Sequence, residues 1–143
     1  MSGFSGILVN ALPRANPEDT RGAVYEWCRG LSGQQVSIYN RGKDKLFGDH
    51  FHKGDDPSKN PERFFLARGR VRVQAWNPAG EELDIEVDEG SEILIDPGVL
   101  HRFTPLEDVI FLEYRCTVFD RERPDSYPAE YYADYLKGRS VEK

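Results

Sequence analysis

Gly48-Asp49-His50-Phe51-His52-Lys53 and Asp96-Pro97-Gly98-Val99-Leu100-His101 together hold all three histidines of a 143-residue chain. Chance would scatter three histidines, whereas a site that handles metal or protons gathers them. Residues i and i+2 of a strand project from one face, so His50 and His52 can aim two imidazoles at one point. Glu62 lies between the two stretches, and with His101 it can bring a carboxylate and a third imidazole to the same place. A mixed set of this kind suits one divalent ion among Zn, Fe, Mn, Ni and Co, and disfavours Cu(I) or an iron–sulfur cluster, which want thiolate. The ligand set expected is therefore His50, His52, Glu62 and His101, with coordination positions left over for water or substrate.

Around these stretches the chain reads as short segments of period two closed by turn residues. Strands are expected near 23–27, 34–39, 46–52, 63–67, 71–76, 82–87, 92–95, 102–104 and 109–119. Turns are marked by Arg68-Gly69, Asn77-Pro78-Ala79-Gly80, Asp88-Glu89-Gly90 and Asp96-Pro97-Gly98. Many short antiparallel strands make a sandwich or barrel. Pro13 and Pro17 make residues 1–21 an expected N-terminal arm, residues 22–120 the barrel, and residues 121–143 a short helix over 129–136, stopped by Gly138, with a mobile tail. If His50 and His52 face the cavity, strict alternation sends Leu46 and Gly48 inward and Phe47, Asp49 and Phe51 outward. By the same rule Phe64 and Leu66 follow Glu62 inward, and Phe103 follows His101 while Arg102 faces out.

Composition narrows the class. A net charge of −6 argues against nucleic acid as a partner, because phosphate binding needs a basic surface. No run of residues has the length of a membrane span, and the N-terminus lacks the order of a secretory signal. Cys28 and Cys116 are too few for a disulfide framework and have no CxxC spacing, so a reduced, cytoplasmic protein is expected.

Glu62 is followed after six residues by Gly69, and Gly90 stands five residues before Asp96. With the HxH pair and His101, these spacings resemble the two motifs of the cupins over roughly residues 34–119. Three departures stand out: the HxH-to-Glu gap holds nine residues, Asp96 replaces a proline, and Pro105 replaces an asparagine. The resemblance implies an all-β double-stranded β-helix, the cupin jelly roll, and a metal at the four ligands. Gly33-Gln34-Gln35-Val36-Ser37-Ile38, the pair Lys59-Asn60 and the run Phe119-Asp120-Arg121-Glu122-Arg123-Pro124-Asp125-Ser126-Tyr127 are similar to the C-terminal cupin domain of capsular polysaccharide dehydratase/reductase enzymes. In that family the domain uses a bound metal to epimerise a nucleotide-linked 4-keto sugar. The run HxHK also resembles dTDP-4-keto-hexose 3,4-ketoisomerases, in which the histidines serve as acid and base without metal.

The resemblance implies an isomerase or epimerase acting on a keto-sugar or nucleotide-sugar by proton transfer beside a carbonyl, in a homodimer. If every histidine binds metal, the proton must be moved by another group, and Tyr39, Lys53, Glu113 and Tyr114 are the candidates. Arg41, Arg63 and Arg72, with Lys43, Lys53 and Lys59, are available for a pyrophosphate, and Phe64 and Phe103 for the apolar wall of the substrate cavity. The insertion at 54–58 reads as a surface loop beside the site. Two other functions share this ligand set: an iron-dependent dioxygenase, and a non-catalytic cupin that binds a sugar or other small molecule.

Overall fold

The computed structural model describes residues 4–141. Among the described residues, strands β1 (Ile7–Ala11), β2 (Gln35–Arg41), β3 (Phe47–Phe51), β4 (Glu62–Arg68), β5 (Arg70–Trp76), β6 (Glu82–Asp88), β7 (Ser91–Ile95), β8 (Leu100–Pro105), β9 (Val109–Arg115) and β10 (Tyr127–Pro128) precede one helix, α1 (Tyr132–Leu136). They form two antiparallel five-stranded sheets, ordered β1, β7, β4, β9, β2 and β10, β3, β8, β5, β6. The inner faces pack on each other through Phe64, Leu66, Val71, Val73, Ile93, Phe103 and Phe111, the two-sheet core the alternating pattern implied. No helix among the described residues is long and apolar enough to cross a membrane.

Two expectations at the start of the chain are corrected. Residues 7–11, expected in an arm, form β1 and pair with β7, so that Ile7 and Val9 reach the core. Residues 23–27, expected as a strand, form none. They lie instead as an extended strap on the outer face of the first sheet, where Tyr25 and Trp27 meet Phe65 at ring distances of 5.5 and 5.7 Å. Trp27 Nε1 ties the strap down by donating to Glu92. An apolar, period-two segment can bury its rings in this way without a ladder of backbone hydrogen bonds.

At the other end, a 3-10 turn over Ala129–Tyr131 leads into α1, and Gly138 follows with a positive φ of 71°, as the stop signal implied. Phe51 is buried under Tyr127, Tyr132 and Tyr135, and Val141 joins them, so the tail as far as Val141 is docked rather than mobile. Residues 142–143 of that expected tail lie outside the described residues.

Phe103 carries much of the core, touching Phe47, Phe64, Phe111 and His101. Phe103→Ala is expected to lower unfolding stability by about 3–5 kcal/mol, read from urea denaturation, because the rings around it cannot close the void.

Candidate functional site

The HxH pair owes its aim to an irregularity in β3. Phe47 pairs with Phe103 and Gly48 with Arg102, but His50 pairs with His101, so Asp49 is an extra residue in the ladder. Gly48 and Asp49 both have positive φ, 79° and 59°. Glycine adopts that conformation freely and aspartate tolerates it, so Gly-Asp is a combination that permits a bulge. The bulge turns Phe47 and His50 to the same side. Phe47 therefore enters the core against Phe103 and Phe111, and Leu46 is 51% exposed, which reverses both expectations from strict alternation. Asp49 faces out and accepts from Arg102 at 2.9 Å, while Phe51 faces the C-terminal cluster.

The nitrogens of His50, His52 and His101 lie within 4.8 Å of one another. His52, Glu62 and His101 are buried, and only His50 is partly accessible. His52 Nδ1 sits 2.5 Å from the Asp125 carbonyl, and His101 Nδ1 sits 3.0 Å from the Val99 carbonyl. A carbonyl can only accept, so each Nδ1 carries the proton and each Nε2 is turned to the centre. There His52 Nε2 is 3.1 Å and His101 Nε2 3.4 Å from the same oxygen, Glu62 Oε1.

Two lone pairs facing a carboxylate oxygen repel unless positive charge lies among them. Among the described residues His101 Nε2 is buried with no hydrogen-bond partner, as a lone pair directed at a cation would be. The second-sphere carbonyls on both Nδ1 atoms are the supports that ligating imidazoles use. The three imidazoles could together hold a divalent cation, with Glu62 Oε1 beside two of them, and the set equally fits a proton on one imidazole.

Lys59 is the residue of this site that spacing alone concealed. It was available on paper as a phosphate-binding cation, but it lies inside the barrel, at the end of a 3-10 turn over Pro57–Lys59 capped by the Asp56 side chain. Its ammonium donates to Glu62 Oε2 at 2.6 Å and to Glu113 Oε2 at 2.8 Å. Glu113 Oε1 in turn accepts from the Tyr39 hydroxyl at 2.8 Å. Burial would lower the Lys59 pKa, but the two carboxylates outweigh it and raise it. Burial would raise Glu62, yet its neighbours His52 and the Lys59 ammonium hold it well below the ordinary carboxylate range. Glu113 moves the other way, pushed up by burial and by the negative Glu62. Burial and then Glu113 push Tyr39 up as well, so Tyr39 keeps its proton at neutral pH. His50 is pushed down to about 2 by burial and by the neighbouring His101 and His52.

The remaining candidates divide. Tyr39 and Glu113 adjoin the cluster, whereas Lys53 turns its ammonium over the Tyr127 ring and toward the Val141 carbonyl. Tyr114 points outward and donates to the Ser32 carbonyl at 2.7 Å. Arg41 stacks on Tyr39 and Phe47, at 5.2 and 5.3 Å, and also lines a separate cleft with Arg68 and Asp108. Arg63 lines an outer cleft with Tyr114, and Arg72 is exposed and paired with Asp84, so neither reaches the cluster. Phe64 and Phe103, expected as the apolar wall of a substrate cavity, lie buried in the core, Phe103 beside His101. A cleft of about 940 Å³ runs along the 54–58 loop, lined by Asp55, Asp56, Asp120 and Glu122 together with Arg123.

No family model and no curated protein matches the sequence. Solved structures match closely in fold. A mutant of the 3,4-ketoisomerase QdtA from Thermoanaerobacterium thermosaccharolyticum, in complex with TDP-4-keto-6-deoxyglucose, is 19% identical, with a TM-score of 0.69 over 97% of this chain and 99% of that one. The dTDP-4-dehydrorhamnose 3,5-epimerase of Sulfolobus tokodaii is 20% identical, with a TM-score of 0.64 over 90% of this chain and 79% of that one. The capsular polysaccharide assembling protein CapF of Staphylococcus aureus is 22% identical, with a TM-score of 0.56 over 87% of this chain and 33% of that one. The chain thus has the cupin jelly-roll fold of these proteins.

Two outcomes follow from the buried charges. Lys59→Met leaves two carboxylates uncompensated and is expected to cost about 3–5 kcal/mol in chemical denaturation, with Lys59→Met/Glu113→Gln recovering part of the loss. An unfolded imidazole takes a proton near 6.5 and folded His50 only near about 2, so below 6.5 the unfolded state binds more protons. The His50 contribution is complete above pH 6.5 and is lost as pH falls, by up to about 1.4 kcal/mol per pH unit. Denaturation midpoints between pH 7.5 and 5 are expected to fall less steeply in His50→Gln.

Proposed function

We propose that this chain is an isomerase or epimerase of a nucleotide-linked keto-sugar, moving a proton on a carbon beside the carbonyl. The observation that carries this reading is one buried polar cluster, His50, His52, Glu62 and His101 continued by Lys59, Glu113 and Tyr39, inside a barrel with the fold of TDP-sugar enzymes. His50, His52, Glu62 and His101 are the proposed ligands of one divalent cation. Such a cation, when bound, supplies Lewis-acid stabilisation of negative charge on a carbonyl oxygen.

With the imidazoles committed, Glu113, its carboxyl pushed up by burial and by Glu62, takes the proton from the carbon; Tyr39, whose hydroxyl holds a proton at neutral pH, gives one back and is reprotonated through its hydrogen bond with Glu113. Phe47, Phe64 and Phe103 keep water from the reacting centre. Arg41, packed on the Tyr39 and Phe47 rings, is the cation placed to meet a substrate phosphate. Val36 and Ile38, 59% and 66% exposed on the edge strand β2, support a homodimer along that edge.

The test combines metal analysis of protein purified without added metal with solvent exchange. Incubated in D₂O with TDP-4-keto-6-deoxyglucose, the protein is expected to place deuterium beside the carbonyl, and Tyr39→Phe to slow that exchange by ~10²-fold or more. Protein that exchanges no deuterium into this or other TDP-4-keto sugars rejects the reaction. Full exchange by metal-free protein rejects the cation and leaves proton transfer to the histidines.

A further inference from the structure

We infer that Asp125 and Ser126, neighbours in the segment leading into β10, are positioning residues that orient the two imidazoles of the HxH pair, each by a separate contact. The inference rests on the reading of those imidazoles as part of the reacting centre.

The Asp125 carbonyl receives His52 Nδ1, and the Ser126 hydroxyl lies 3.1 Å from His50 Nδ1. The segment is pinned from both sides. Tyr127 and Pro128 pair with Phe51 and His50, which lays the segment along β3. The Asp125 carboxylate accepts from the backbone N–H of Lys53 at 2.8 Å, Gly54 at 2.8 Å and Asp56 at 3.1 Å. One buried residue thus holds both the His52 ring and the chain that leaves it, 6% exposed itself. Among the described residues its carboxylate hydrogen-bonds to backbone N–H groups and its carbonyl to His52, so the effect of the carboxylate on His52 travels through the backbone.

The two contacts differ in kind. A carbonyl fixes one tautomer of His52, whereas a hydroxyl both gives and accepts and so leaves the tautomer of His50 open. His101 is held by Val99, from a different part of the chain, and serves as an internal control. The 124–128 segment is far in sequence from the HxH motif, which is why spacing within the motif does not point to it.

The test uses the full-length protein with ¹⁵N-labelled histidine. Long-range ¹H–¹⁵N correlation at about pH 8, well above the ordinary imidazole pKa of about 6.5, reads which ring nitrogen carries hydrogen. His52 and His101 are expected as Nδ1–H. Asp125→Asn places an amide donor against backbone donors, and is expected to abolish the single-tautomer pattern of His52 while His101 keeps its own. Ser126→Ala is expected to change the pattern of His50 alone, with Ser126→Thr restoring it. In both Asp125→Asn and Ser126→Ala, kcat for keto-sugar exchange is expected to fall about 10- to 100-fold with little change in KM.

Unchanged His50 and His52 patterns overturn the inference, and so does an equal change in all three histidines, which marks a general loss of structure. The Ser126 pair keeps the test decisive if Asp125→Asn does not fold. Changed patterns in a protein that shows no exchange with any keto-sugar uphold the positioning and reject the proposed reaction.

Discussion

A carboxylate sealed inside a barrel has to be met by positive charge or by protons from within, and Glu62, 1% exposed, is such a group. Its two oxygens divide the interior between them: Oε1 faces His52 and His101, and Oε2 faces Lys59. Lys59 is shared with a second buried carboxylate, Glu113, so one ammonium answers two negative charges. One unit of negative charge is left over if all three imidazoles are neutral. Burying an unbalanced charge is costly, so a further positive charge inside the cluster, a proton included, is favoured. The aromatic core, the strap over Phe65 and the docked tail close the barrel around that demand.

The sheet was legible because its strands follow period two and its turns are chemically explicit. Eight of the expected strands reappear with shifted ends, and the helix and its glycine stop fall where the signals put them. The errors arose where pairing is distant or absent. β1 is short, sits near prolines and is stabilised by β7 from across the chain, a partner no local pattern names. Residues 23–27 have the apolar rhythm of a strand but use it to seat two rings on Phe65, and rhythm alone does not distinguish a ladder from a strap.

The site divided along the same line. Donors of restricted chemistry, the histidines and Glu62, could be read from type and spacing because few other roles need them together. Lysines and arginines could not, since a cation in sequence says nothing of depth. Lys59 proved to be an interior charge, Arg72 a surface ion pair and Lys53 a partner of Tyr127. Tyr39 and Tyr114 lie on neighbouring strands, yet one faces the cluster and the other the outer surface. The parity of each strand separates them once its inward residues are known.

Parity is also what the left-handed Gly48-Asp49 step alters. It allows Phe47 to fill the hydrophobic interior and His50 to reach the polar centre from one strand, although the two are three positions apart and would ordinarily oppose each other. The motif is thus portable only as a longer unit. Transplanting His-x-His into another jelly roll without the preceding Gly-Asp pair would deliver either the aromatic anchor or the imidazoles to the lumen, but not both.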